Sequence, residues 1–357
     1  MTGPLTVGIE PQGTSVRAMG EIAAAADAAG LTAAWTPELY NRSATITLAE
    51  MAHRTTRCTV GTAIAYGVGR SPLTLAAEAR DLDELSDGRL VLGLGNGTRR
   101  MIADWHGLDG DAPAVRMEEL VVLLRRLWRL HEGPVAHEGR FYRVRIAPTG
   151  ELLPPLRERI PIWTAGVNPR MVEVAGRVAD GLLGHTLFTV RYIEDVVKPA
   201  IEKGALRAER DPSSIKLASL LFASVHEDAE VARREVAAQI AFYASAKTYA
   251  PLLETIGFAQ VGETIREAFA RGDLDAMIAA VPDAMVDALA VAGTPDDVRC
   301  ALRRYEGVLD HAILYTPSFT LSPERVRESA LALIDACATD APVALDAGSD
   351  AIGARPA

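Results

Sequence analysis

The sequence predicts an α/β chain folded as a single (β/α)8 TIM barrel over residues 1–340, with insertions after strands 4 and 7. Three observations point there. Short apolar runs alternate with longer amphipathic segments in eight successive pairs. The short runs are almost continuously apolar, which suits parallel strands covered on both faces. The 357 residues exceed the roughly 250 of a minimal barrel by about a hundred, and two stretches outside the repeat take up the excess. A doubly wound open sheet is the competing arrangement, but no composition shift marks a linker between domains.

The strands are expected at 5–10, 31–37, 58–65, 89–94, 160–165, 180–185, 215–225 and 310–315. Helices follow at 15–29, 44–54, 73–85, 115–130, 169–178, 190–207 and 323–337. Ser15 is the N-cap of the first and Gly30 its stop. Residues 131–159 lack helical period, hold Gly, Pro and an aromatic piece, and read as an inserted hairpin or loop. Residues 228–289 form a helical stretch too long for one crossover. The tail 341–357 is small, polar and aperiodic, and is expected to be disordered.

Composition limits function before any motif does. There are 37 Lys and Arg against 47 Asp and Glu, a net charge of -10, which argues against a general nucleic-acid partner. The basic side is almost all Arg, with Lys only at 198, 203, 216 and 247, so guanidinium groups remain available for an anionic ligand. Cys58, Cys300 and Cys337 are far apart, and no zinc-type spacing or disulfide framework is present. No metal is expected. No leader pattern or bilayer-length apolar run is seen. A cytoplasmic chain without a membrane partner is the expectation.

Barrel enzymes work at the C-terminal ends of their strands. Those ends here carry Glu10, then Glu38 to Arg42, Ala63 to Tyr66, Gly95 to Arg100, Thr164 to Asn168, and His185 with Thr186. Glu10 and Glu38 are candidates for proton transfer, because burial and mutual repulsion raise a carboxyl pKa; each could equally be a capping or salt-bridging group. The Gly93–Leu94–Gly95–Asn96–Gly97 run lets backbone approach a flat ligand or phosphate, or is simply a tight turn. Asn168 before Pro169 caps a helix whose start can also hold an anion. His185 is a proton shuttle, a phosphate contact or a structural hydrogen-bonder. Trp105, in an irregular ADWHGL loop, is placed to cover a pocket, while Trp35, Trp128 and Trp163 read as core.

Several stretches resemble the luciferase-like flavin and deazaflavin oxidoreductases, the bacterial luciferase superfamily. They are TLAAEARDLDELSDGRLVLGLGNG at 74–97, AAAADAAGLTAAWTPELY at 23–40, the Arg70–Ser71–Pro72 triplet, and VAGTPDDV at 291–298. VGIEP at 7–11, ELYNR at 38–42 and the stretch 272–297 are most similar to the coenzyme F420-dependent methylenetetrahydromethanopterin reductases. The likeness spans about residues 5 to 337.

This resemblance implies hydride transfer at the face of F420, or of FMN as the alternative, with a small organic substrate of imine, enone or alcohol type. An FMN-dependent monooxygenase and a non-catalytic partner barrel are the other readings. The resemblance implies a cis peptide between Ala63 and Ile64. It places cofactor contacts at Tyr40, Ala63, Ile64, Gly95, Asn96, Gly97, Gly166, Val167, Asn168, His185 and Thr186. It makes Glu10 the proton donor, and it implies a homodimer through the helices at 44–54 and 73–85. The chain departs from the pattern twice. Relatives carry Asp-His-Tyr where Glu38–Leu39–Tyr40 stands, and often an acid where Arg99 and Arg100 follow Thr98. Arg99 and Arg100 are thus candidates for an acidic substrate or the anionic F420 tail.

Overall fold

The computed structural model describes residues 4–13, 15–339 and 344–348. The strands in chain order are β1 (Thr6–Glu10), β2 (Ala33–Thr36), β3 (Thr59–Thr62), β4 (Ala65–Tyr66), β5 (Leu90–Gly95), β6 (Val135–Glu138), β7 (Arg143–Ile146), β8 (Ile162–Ala165), β9 (Gly181–Gly184), β10 (Lys216–Val225), β11 (Ala290–Gly293) and β12 (His311–Tyr315). The fold is the expected (β/α)8 barrel, and its eight strands are β1, β2, β3, β5, β8, β9, β10 and β12. By internal contacts the chain divides into two compact units.

The first unit comprises Met1–Trp35, Gly184–Pro199 and Leu217–Leu345. Its strands run in the order β11, β10, β12, β1, β2, and the pairs are parallel. Glu10 pairs with Tyr315, and Tyr315 with Phe222, so these three residues share one level, at the ends of β1 and β12. Gly8 is required where it stands: a Cβ there would lie 2.7 Å from the Ala33 carbonyl and 2.7 Å from His311 Nε2. The stretch expected to be one long helical region is five helices, Ala229–Ser245, Ala250–Thr255, Ala259–Ala270, Leu274–Ala279 and Asp283–Leu289. Strand β11, which the sequence analysis did not anticipate, follows the last of them directly.

The second unit comprises Thr36–Leu183, Ala200–Lys216 and Asp346–Ala357. Its order is β3, β5, β8, β9, with β4 pairing the end of β5. Gly93 lets β3 and β5 meet, since a Cβ would lie 1.8 Å from the Thr62 carbonyl oxygen. Asp180, fully buried, accepts from Arg125 at 2.8 Å, Arg159 at 2.5 Å and the Ile162 N–H at 2.9 Å. Two guanidinium partners and a backbone donor offset the cost of burying that charge. The segment 131–159 contains the antiparallel hairpin β6–β7, which Glu119 holds through the N–H groups of Phe141 and Tyr142 and through His137.

Two local expectations change. Trp105 is not in an irregular loop but on the helix Arg99–His106, capped by Thr98 and stopped by Gly107 in the left-handed region. The helix expected over 190–207 contains a wider π-type turn at Ile193–Val197. Of the tail expected to be disordered, 341–343 and 349–357 lie outside the described residues. Within 344–348, the Ala347 carbonyl accepts from Trp163 Nε1 at 3.1 Å.

Candidate active site

In the first unit, Glu10 closes β1 and is 1% exposed. Gln12 Nε2 donates to its Oε1 at 3.0 Å. Its Oε2 is buried without a hydrogen-bond partner among the described residues. Burial drives the Glu10 pKa well above the usual carboxylate value, and the Gln12 hydrogen bond offsets only part of that. Burial thus favours the protonated form of the Glu10 carboxyl.

The groups around it are neutral as well. Tyr243 Oη donates to Tyr315 Oη at 3.4 Å, and burial pushes both phenols upward. His185 follows Gly184 and its pKa is pushed down to about 4 by burial. Its Nδ1 accepts from the Leu187 N–H at 3.2 Å, which leaves the ring proton on Nε2. The His185 ring lies 4.6 Å from that of Tyr249 and 5.5 Å from that of Tyr243. Thr186 is buried, and its hydroxyl has no partner among the described residues. In the first unit, an acid, an imidazole and three phenols thus gather near the ends of β1 and β12.

The second unit holds the other predicted residues. The Ala63–Ile64 peptide is cis, as the resemblance implies. Gly95 ends β5, Gly97 adopts φ +69°, and Tyr66 packs against it, so a side chain is excluded there on both counts. Asn96 is buried; its Nδ2 donates to the Pro113 carbonyl at 3.1 Å, while Oδ1 is without a partner among the described residues. Thr164 Oγ1, on β8, is likewise buried and unsatisfied. Asn168 caps the helix Pro169–Val178 through the Met171 N–H, and Gly166 and Val167 form the turn before it.

Glu38 does not resemble Glu10. Arg70 grips it with two hydrogen bonds, Nη1 to Oε2 at 2.7 Å and Nη2 to Oε1 at 2.6 Å. The Tyr66 N–H also donates to Oε2 at 2.8 Å. Both Glu38 oxygens are thus engaged by donors that suit an anion. Tyr40 is 78% exposed, and its ring meets that of Trp105 edge to face at 5.5 Å. Arg99 and Arg100 are exposed at the start of their helix and already paired, with Asp111 and Asp104 respectively.

The residues that sequence reasoning missed are Gln12, Tyr243, Tyr249 and Tyr315, together with Arg70. Tyr243 and Tyr249 lie in the helical insertion, where period alone makes them core positions. Arg70 stands in the quoted triplet, but its partner is 32 residues away. His131, Glu132 and Glu158 bring three possible ligand atoms within 4.8 Å, although Glu132 already pairs with Arg129 at 2.7 Å. Among the described residues no helix is long and apolar enough to cross a membrane.

Comparison with known proteins agrees with this architecture. The model of the luciferase-like monooxygenase family matches residues 4–312. An uncharacterized protein of Mycobacterium tuberculosis is 34% identical over 324 residues, covering 87% of this chain and 94% of its own. The 5,10-methylenetetrahydromethanopterin reductase of Methanolobus tindarius is 28% identical over 280 residues, covering 78% of this chain and 83% of its own. The structure of the coenzyme F420-dependent tetrahydromethanopterin reductase of Methanopyrus kandleri superposes with a TM-score of 0.78 at 24% identity, covering 94% and 98% of the two chains. A match over most of its length places the chain in the luciferase-like monooxygenase family.

Proposed function

We propose that the protein is a coenzyme F420-dependent oxidoreductase acting on a small organic substrate of imine, enone or alcohol type, with Glu10 as its acid. The observation that carries this reading is Glu10 itself: a buried carboxyl whose pKa burial raises, with one oxygen unclaimed among the described residues, at a strand end of a fold that places chemistry at strand ends. A relative described as a putative coenzyme F420-dependent oxidoreductase, from Mycobacterium tuberculosis, supports the choice of F420.

The second unit has groups that fit such a cofactor. Asn96 Oδ1 and Thr164 Oγ1 are buried polar atoms without a partner among the described residues, and a deazaflavin ring offers both N–H and C=O groups at its pyrimidine edge. The capped start of helix Pro169–Val178 and the left-handed Gly97 offer backbone N–H groups of the kind that hold phosphate. The coenzyme, when bound, supplies or accepts the hydride. The chain's own part is to hold and move the proton. Glu10 Oε2 gives its proton to the substrate atom opposite the carbon that gains the hydride, and takes one back in the reverse direction. Gln12 orients the carboxyl through Oε1. The neutral phenols and imidazole keep the surroundings free of a charge that would stabilise the Glu10 anion.

Fluorescence titration of the purified protein with F420 and with FMN tests the reading. Micromolar F420 binding without an FMN response is expected. FMN binding alone would favour a monooxygenase, and no response to either would sink both enzyme readings.

A further inference from the structure

We infer that Glu38 and Arg70 form an ionic clamp that positions the cofactor-facing backbone of the second unit, an assignment that rests on the function proposed above. The clamp joins three strand ends. On β2, the Thr36 carbonyl accepts from the Ala63 N–H at 2.9 Å, and two residues on, the Glu38 N–H donates to the Ile64 carbonyl at 2.9 Å. The Glu38 side chain then reaches past Ile64 and accepts from the Tyr66 N–H at 2.8 Å. One glutamate therefore holds the 63–66 segment on both sides, through its own backbone and through its carboxylate.

From Tyr66 the connection passes to β5. Tyr66 pairs with Gly95, and the Gly67 N–H donates to the Gly95 carbonyl at 2.9 Å. A Cβ on Gly95 would lie 2.7 Å from Ile64 Cγ1, and one on Gly97 would lie 2.9 Å from the Tyr66 ring. The Gly95–Gly97 turn thus rests directly on the segment that Glu38 holds. Arg70 completes the device. It binds both Glu38 oxygens and turns its Nε to Glu78 Oε2 at 2.8 Å, on the helix Pro72–Leu85. Glu38 and Arg70 side chains are only 10% and 15% exposed, so water competes little for these bonds.

The geometry is specific to a fork against a carboxylate. Lys offers one point donor where two parallel bonds exist. Gln keeps the shape of Glu38 but loses the charge and turns one acceptor into a donor facing Arg70. Neither residue touches reacting atoms; both are positioning residues, acting through Ala63, Ile64 and the Gly95–Gly97 turn.

Backbone hydrogen exchange of the cofactor-free full-length chain, read together with F420 affinity by fluorescence, tests this. Glu38→Gln and Arg70→Met should each raise exchange at residues 63–67 by tenfold or more and weaken F420 binding by at least tenfold, while the melting temperature moves by only a few degrees. Arg70→Lys should recover part of both. Glu50→Gln, which breaks an exposed ion pair with Arg54 on helix Ala44–Arg54, should change neither. If Arg70→Met does not fold, Arg70→Lys and Glu38→Gln carry the comparison. Unchanged exchange at 63–67 in folded variants overturns the clamp. Raised exchange with unchanged F420 affinity overturns its role toward the cofactor. A wild-type chain that binds no F420 overturns the functional reading and the cofactor role together, and exchange then decides the clamp separately.

Discussion

Gln12 Nε2 donates to Glu10 Oε1 at 3.0 Å, and this is the hydrogen bond that restrains how far burial raises the acid. A donor stabilises the carboxylate more than the acid, so it lowers the pKa. Gln12→Leu removes the donor and should raise the Glu10 pKa further. In a pH–rate profile, the limb that reports loss of the Glu10 proton should move to higher pH, with the other limb in place.

Glu10→Gln keeps the shape and removes the proton. A general acid contributes about 10²–10⁴-fold, so turnover should fall by roughly a hundredfold or more. F420 affinity should change little. Weakened binding with normal turnover at saturation would assign Glu10 to the cofactor instead.

The same residue shapes stability. Its native pKa lies above its unfolded value, so the native state holds the proton more tightly. Its stabilising effect is complete below the unfolded pKa and is lost as pH rises toward the native one. Denaturant melts of Glu10→Gln against wild type, run upward from about pH 4, should show the variant gaining relative stability as pH rises.

His311 acts in the opposite direction. Trp35 Nε1 can only donate, so His311 Nε2 accepts at 3.0 Å and the ring proton sits on Nδ1, 2.8 Å from Thr6 Oγ1. Thr6 Oγ1 donates onward to the Asp310 carbonyl at 2.9 Å. The ring is 0% exposed, and burial pushes its pKa down to about 3. Its contribution is present above the unfolded value and is lost as pH falls from about 6.5 toward the native value. The loss is on the order of 5 kcal/mol by linkage. His311→Gln should flatten the acid side of the stability curve, at some cost in stability near neutrality.

Gly93→Ala should be among the most damaging single changes. Its Cβ would lie 1.8 Å from the Thr62 carbonyl oxygen, and both atoms belong to paired strand backbone that has nowhere to move. A loss of about 3 kcal/mol or more is expected, measured as a drop in denaturation midpoint or as insoluble protein. Ala at Gly107, where nothing lies within 4 Å, should cost only the strain of its positive φ.

The barrel was legible because parallel strands write themselves as apolar runs and their helices as amphipathic ones. All eight barrel strands fall within their expected ranges, except that β5 runs one residue further, to Gly95. What stayed hidden was short or non-local. Helix Arg99–His106 has eight residues and one buried side chain, too little for a period to show. Strand β11 is an apolar AVAG run continuous with the helix before it. In the site, Glu10 and Glu38 look alike as sequence, each a glutamate at a strand end. They part only in three dimensions, because Arg70 meets one of them and, among the described residues, no charged group bonds to the other.

The most direct test of the account is the protonation state of Glu10 at neutral pH, read by infrared difference spectroscopy of the wild type against Glu10→Gln. A protonated-carboxyl carbonyl band that is present at pH 7 and absent from the variant is predicted. A Glu10 that titrates in the ordinary carboxylate range and is fully ionised at pH 7 would contradict it.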